Sequence, residues 1–157
     1  MTLGIEALAN VVLSANRKGL FRKKPVFELH TATSSSELNE LEKEIGISLP
    51  NDLRRWLLAL GYGDINEELS FRAEWFALIE SGQLQGGARF AQDILGNFYA
   101  FDAIGCVFYL CRSQPAFAQV SKSFAEFVEE LVRHDYKLLD WVSTLSTEPY
   151  EWASDEG

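Results

Sequence analysis

Cysteine is scarce in this chain, with only Cys106 and Cys111 among 157 residues. The two would lie in one strand and, at odd spacing, on opposite faces, which disfavours a disulfide between them. Both are expected as buried free thiols. Histidine is equally rare. His30 and His134 stand far apart, each without a companion Cys or His at ligand spacing, so no zinc site is expected. Basic residues are few, 14 Lys and Arg against 23 Asp and Glu, for a net charge of −9. An acidic surface repels nucleic acid and anionic membrane; it suits a basic protein partner, or serves solubility alone. No apolar run approaches bilayer-spanning length, and Met1 to Glu6 lacks the basic start and apolar block of a signal peptide. A cytoplasmic location is therefore expected. Also missing are a Gly-x-Ser-x-Gly elbow, a P-loop and a dinucleotide fingerprint. No nucleophile, base and orienting group come together in the sequence, so neither an enzyme nor a cofactor is expected.

What is present is an aromatic, apolar chain of a length suited to one domain with a real core. Its centre is Phe90 to Asp102 followed by Gly105 to Cys111, rich in Phe, Tyr and Val and punctuated by Gly96-Asn97 and Ala103-Ile104-Gly105. This pattern predicts an antiparallel β-meander of about four to six strands. Alternation puts Phe98, Ala100 and Asp102 on one face and Tyr99 and Phe101 on the other. Neither face is polar, so each needs a cover, helices on one side and something else on the other.

The flanking segments supply those helices. Leu3 to Asn16 carries Ile5, Leu8, Val12 and Ala15 at helical spacing, with Arg17-Lys18 and Gly19 as a plausible C-terminal end. The basic cluster Arg22-Lys23-Lys24 reads as a solvated turn rather than an anion or RNA patch. Val26 to Leu29 suits a short strand. Ser34 to Glu37 fits a capping box that opens a helix with Leu38, Leu41 and Ile45 along one stripe, stopped by Gly46. Leu49-Pro50 starts another, with Leu53, Trp56, Leu57 and Leu60 inward and Gly61 or Gly63 ending it. Asp64 to Trp75 reads as an exposed charged loop without the oxygen spacing of a calcium loop, and Trp75 to Ile79 as a strand. Ser81 to Gly87 is a glycine-rich connector. Pro115 ends the meander, and Ser121 or Ser123 caps a last helix with Phe124, Phe127, Val128 and Leu131 inward. The tail from Thr147 mixes Tyr150 and Trp152 with Glu148, Glu151, Asp155 and Glu156. It is expected to fray, the alternative being a contribution to a basic-partner site.

Three groups of these motifs, in order, resemble the SMI1/KNR4 (SUKH) superfamily. The first is Leu41-Glu42 to Ile45-Gly46, then Leu49-Pro50, Trp56-Leu57 and a glycine turn. The second is Phe90-Ala-Gln-Asp93 with Gly96-Asn97 and Phe101-Asp102, similar to the family's middle strands. The third is Ser123-Phe124-Ala-Glu126-Phe127, similar to its closing helix. The resemblance covers roughly residues 34 to 133, leaving an N-terminal helical extension (1–33) and a C-terminal tail (134–157) of one domain. It departs from the family's Asn-Gly-Gly turn, which reads Gly61-Tyr62-Gly63 here, and the first thirty residues match nothing in the family. The resemblance implies an α+β fold with helices packed on one side of the meander. It also implies an immunity protein that binds a cognate bacterial toxin, often a nuclease, and blocks its active site. The alternative is a general interaction or scaffold module with an endogenous partner; the chain could act as monomer or homodimer. A basic toxin suits an acidic inhibitor through charge steering. Nanomolar affinity, about −12 kcal/mol, calls for buried aromatic anchors in an interface of about 1,600 Å². The contact set expected on this reading is Tyr62, Asp64, Glu67, Glu68, Asp93, Tyr99 and Asp102. Tyr62 and Tyr99 are equally suited to core packing. Asp93 and Asp102 could face each other as an acid–base pair or cap turns.

Overall fold

The computed structural model describes residues 4–18 and 23–152. The Gly19 cap, Arg22 of the basic cluster, and Asp155 and Glu156 of the tail lie outside the described residues. The fold is α+β with a large antiparallel sheet, and helices cover one of its faces.

Of the five helices among the described residues, two open on a serine cap. Helix α1 (Ile5–Ser14) buries Ile5, Leu8, Ala9 and Val12. Helix α2 (Ser35–Ile45) opens at Ser34, whose Oγ accepts from Glu37 N at 3.2 Å, and closes at Gly46 with φ +85°. The Glu37 carboxylate accepts a hydrogen bond from the Ser34 hydroxyl instead of from its backbone N–H, so half of the expected capping box forms. Helix α3 (Asn51–Leu60) follows Pro50 and ends at Gly61, φ +80°. Helix α4 (Phe124–Arg133) is capped by Ser123, whose Oγ accepts from Glu126 N at 3.1 Å. A short α5 (Leu138–Val142) follows.

Two small strands, β1 (Asn16–Lys18) and β2 (Lys23–Pro25), form their own hairpin where a helix end and a solvated turn were expected. The main sheet is larger than four to six strands. It joins β3 (Phe27–Thr31), β4 (Tyr62–Ile65), β5 (Leu69–Ser70), β7 (Ala88–Asp93), β8 (Phe98–Phe101), β9 (Val107–Leu110), β10 (Ala116–Ser121) and β11 (Glu148–Pro149), running β11-β10-β9-β8-β7-β5-β4-β3, with β6 (Ala77–Leu78) also on β7. The expected meander is its β7–β10 portion. The supposed exposed loop at 64–75 is instead partly sheet, with Ile65, Leu69 and Phe71 buried. Trp75 belongs to a 3-10 turn (Ala73–Trp75), and only Ala77–Leu78 of the expected strand pairs.

The main core lies between the sheet and α1, α3 and α4. Phe124 stands at its centre, edge-on to Trp56 at 5.6 Å and to Phe90 at 5.7 Å. Such fully buried side chains each contribute about 1.5–3 kcal/mol. Tyr99 and Phe101 face this core, while Phe98 and Ala100 face a second one, as alternation predicts. The second face is covered by the chain itself. Ile79 and Leu84 of the glycine-rich connector and Tyr150 of the tail pack there with Leu110 and Phe117. The segment expected to fray is thus anchored through Tyr150. β11 pairs with β10, Tyr150 N donates to Pro115 O, and the Tyr150 hydroxyl donates to Ser81 O at 2.6 Å. Cys106 and Cys111 flank β9 as free, half-buried thiols rather than buried ones.

Candidate functional site

The acidic residues at the β4–β5 turn are used within the fold. Asp64 lies 2.9 Å from an Arg72 Nη, a charge contact without an aligned N–H. Glu67 pairs with Arg17, and its side chain is 53% exposed. Glu68 accepts the Leu139 N–H at 2.9 Å, and Ile94 N donates to its carbonyl. Between them Asn66 donates its side-chain amide to Tyr136 O and its backbone N–H to Val26 O. Asn66 and Glu67 both adopt left-handed φ, +54° and +58°. Asparagine tolerates that conformation, and here a turn held on all sides imposes it on glutamate as well. The turn ties β1 and α5 to the residues that border β3 and β7. Of its three carboxylates only Glu67 projects well into solvent.

Tyr62 and Tyr99 take the core-packing alternative, and Asp93, expected in the contact set, is buried as well. Tyr62 is buried with its ring edge-on to Phe76 at 6.2 Å, and burial pushes its phenol pKa up. Tyr99 is fully buried against Phe127 on the helix side. Its hydroxyl donates to Asp93 Oδ2 at 2.9 Å, and burial, with the Asp93 charge, raises its pKa strongly. Asp93 also accepts from the backbone N–H groups of Leu95 and Asn97 and from the Asn97 amide. Four donors on one buried carboxylate fix the β7–β8 turn. Asp102 accepts from Ile104 N and Cys106 N, fixing the β8–β9 turn at the other end of β8. Asp93 and Asp102 are therefore turn caps at opposite ends of a strand, and the structure does not bring them together as an acid–base pair.

Beside Asp102 the structure opens a cleft of about 630 Å³ that sequence reasoning missed. The α2–α3 connector and the start of α3, Ile47 to Asp52, form one wall. The β8–β9 turn, Asp102 to Gly105, forms the other, with Gly86, Phe101 and Ser123 completing the lining. Both walls are pre-organised. Leu49 N donates to Glu42 Oε2 at 2.7 Å, and Glu42 Oε1 holds Arg54. Asp52 accepts from Leu53 N and, across 73 residues, from Ala125 N, both at 2.9 Å, so it joins the starts of α3 and α4. The cleft's two carboxylates are thus each occupied by backbone donors. At its rim Ile104 is 84% exposed. The signal for Ile104 was a large apolar side chain inside a turn, where no helix stripe or strand face claims it.

Among the described residues no three His, Cys, Asp or Glu side chains gather as a metal-binding group, and no helix is long and apolar enough to cross a membrane. No curated protein and no solved structure matches the chain. A family model described as the SMI1 / KNR4 family (SUKH-1) matches residues 32–130. That span runs from the approach to α2 through most of α4 and includes both walls of the cleft. Helix α1 lies outside the span, yet it packs into the same core. By this match the chain belongs to the SMI1/KNR4 (SUKH-1) family.

Proposed function

We propose that this protein is an immunity protein that docks a cognate bacterial toxin at the cleft beside Leu49-Pro50 and blocks the toxin's active site. The observation that carries this reading is Ile104, 84% exposed at the rim of a cleft whose walls are held by hydrogen bonds to Glu42, Asp52 and Asp102, most of them half-buried. An exposed apolar anchor on a rigid wall loses little entropy on binding, which is how interface hot spots work. Membership of a family of protein-interaction modules supports the reading, and so does the net charge of −9, which steers a basic partner toward the surface. The protein acts by occlusion in the cytoplasm and transforms nothing. Asp52 and Asp102 serve as caps, in keeping with a docking role for the cleft.

The test is co-expression with the protein encoded next to this one, assayed for toxicity and its rescue. The native chain should restore growth, and Ile104→Arg should weaken toxin binding at least tenfold and reduce rescue. Failure of the native chain to bind or rescue would overturn the immunity reading. Full rescue by Ile104→Arg at native affinity would remove the cleft as the docking surface.

A further inference from the structure

A second cleft, of about 440 Å³, opens on the sheet face away from the helices, and its charge is opposite to that of the protein as a whole. Arg89 and Arg112 line it together with Phe98, Leu110, Ser113 and Trp152, and no Asp or Glu does. Seven arginines fall among the described residues. Five are ion-paired: Arg17 with Glu67, Arg54 with Glu42, Arg55 with Glu6, Arg72 with Asp64 and Arg133 with Glu130. The remaining two, Arg89 and Arg112, are the two in this cleft, and among the described residues neither meets a carboxylate. In a chain with 23 acidic side chains, two guanidinium groups in one cleft with no carboxylate partner among the described residues stand out.

The surroundings hold Arg89 in place. Its guanidinium sits 4.3 Å from the Phe98 ring centroid and 5.9 Å from that of Trp152. Trp152 is itself positioned by the anchored tail. Its ring lies 4.3 Å from that of Tyr150, and the Gln83 side chain bonds both Pro149 O and Glu151 N. Arg112 rises from the end of β9, its backbone N–H held by Asn97 Oδ1 at 3.0 Å. Stacking on aromatic rings leaves the edge of a guanidinium, with its N–H fork, available to an anion. A carboxylate fits that fork in bidentate geometry, and the apolar walls suit a hydrocarbon or aromatic body attached to it.

We infer that the Arg89–Arg112 cleft is a binding site for a carboxylate carried on an apolar or aromatic group. It is separate from the cleft beside Leu49-Pro50 and stands whether or not that cleft docks a toxin. The carboxylate can come from a ligand in trans or from the chain's own Asp155 or Glu156, which follow Trp152 in the sequence.

The experiment titrates 3-phenylpropionate, and 3-phenylpropionamide as its uncharged counterpart, into the full chain. The indole N–H resonance of Trp152, assigned with Trp152→Phe, reports occupancy. A fragment of this size should bind with a Kd on the order of 1 mM. The amide should bind at least tenfold more weakly. Arg89→Gln and Arg112→Gln should each weaken the carboxylate about tenfold; Arg112 is surface-exposed, so its variant keeps the fold. Tighter binding in Asp155→Asn/Glu156→Gln identifies the chain's own carboxylates as competitors, and unchanged binding there assigns the site to a ligand in trans. Equal binding of acid and amide, or undiminished binding in folded Arg112→Gln, overturns the proposal.

Discussion

Glu68 Oε1 accepts the backbone N–H of Leu139 at 2.9 Å across 71 residues of chain. The bond satisfies a donor in the first turn of α5, which has no side-chain cap of its own, and places a negative charge where a helix start favours one. Glu68→Ala should cost about 1–2 kcal/mol of stability, with Glu68→Gln recovering about half. Urea denaturation measures both, and an unmoved midpoint for the alanine variant would refute this role.

All five tyrosines, Tyr62, Tyr99, Tyr109, Tyr136 and Tyr150, have phenol pKa values raised chiefly by burial. Tyr109 is pushed up to about 12. A folded-state pKa above the unfolded value of about 10 means the native protein holds its phenol protons more tightly. The associated stability is complete below about pH 10 and is lost as pH rises beyond it. Absorbance at 295 nm should therefore show little phenolate near pH 10 in the folded protein. Chemical stability should decline steadily from there upward, and less steeply in Tyr99→Phe. Ordinary titration of several tyrosines in the native state would contradict this.

Tyr150 fixes the tail with one hydroxyl, which donates to Ser81 O and accepts from Leu84 N. Tyr150→Phe leaves both groups without that partner and should cost about 1–3 kcal/mol. Tyr150→Ala also removes the ring packed against Phe117 and should cost about 3–5 kcal/mol. Hydrogen exchange should locate the added opening in β11 and the 79–87 connector, with α1 and α3 unaffected. Equal protection of these segments in native and variant proteins would show that the tail is held by something else.

Gly63 sits within β4, where a Cβ would lie 2.6 Å from Phe27 Cζ and against the Glu28 carbonyl. Gly63→Ala forces that ring or the β3–β4 ladder to move and should cost about 1–3 kcal/mol. Gly46→Ala meets open space and is strained only by its φ of +85°, so its cost, about 1 kcal/mol, should be the smaller. Thermal denaturation of both ranks them, and the reverse order would sink the steric account.

Local signals made the helices legible. Ser34 and Ser123 mark boundaries through their hydroxyls, Gly46 and Pro50 through their backbones, and each acts within four residues of its partner. Period-two alternation correctly separated Phe98 and Ala100 from Tyr99 and Phe101, but it carries no sign telling which face meets the helices. Tyr99 therefore stood open between a partner contact and core packing, and it packs in the core. The acidic turn was misread for a different reason. Arg17 and Leu139 lie 50 and 71 residues from their partners, and nothing near Glu67 or Glu68 in sequence announces them. Long-range pairing also hid the full width of the sheet, since β5 is two residues long and meets β7 only after the 3-10 turn, β6 and the connector have intervened. Ile104 was read only as turn punctuation because turns were treated as chain reversals and not as places to present a side chain.

The sheet's two outermost strands have one more effect. β11 is two residues long and contains Pro149, which has no N–H to offer a further strand. At the opposite border β3 sets Glu28 and His30 on either side of the exposed Leu29, and polar neighbours of that kind discourage strand addition. Both borders are therefore poor templates for growth. At these two borders, copies of this protein crowded together are steered toward meeting through side chains, away from a ladder of shared backbone bonds, the first step toward a fibre.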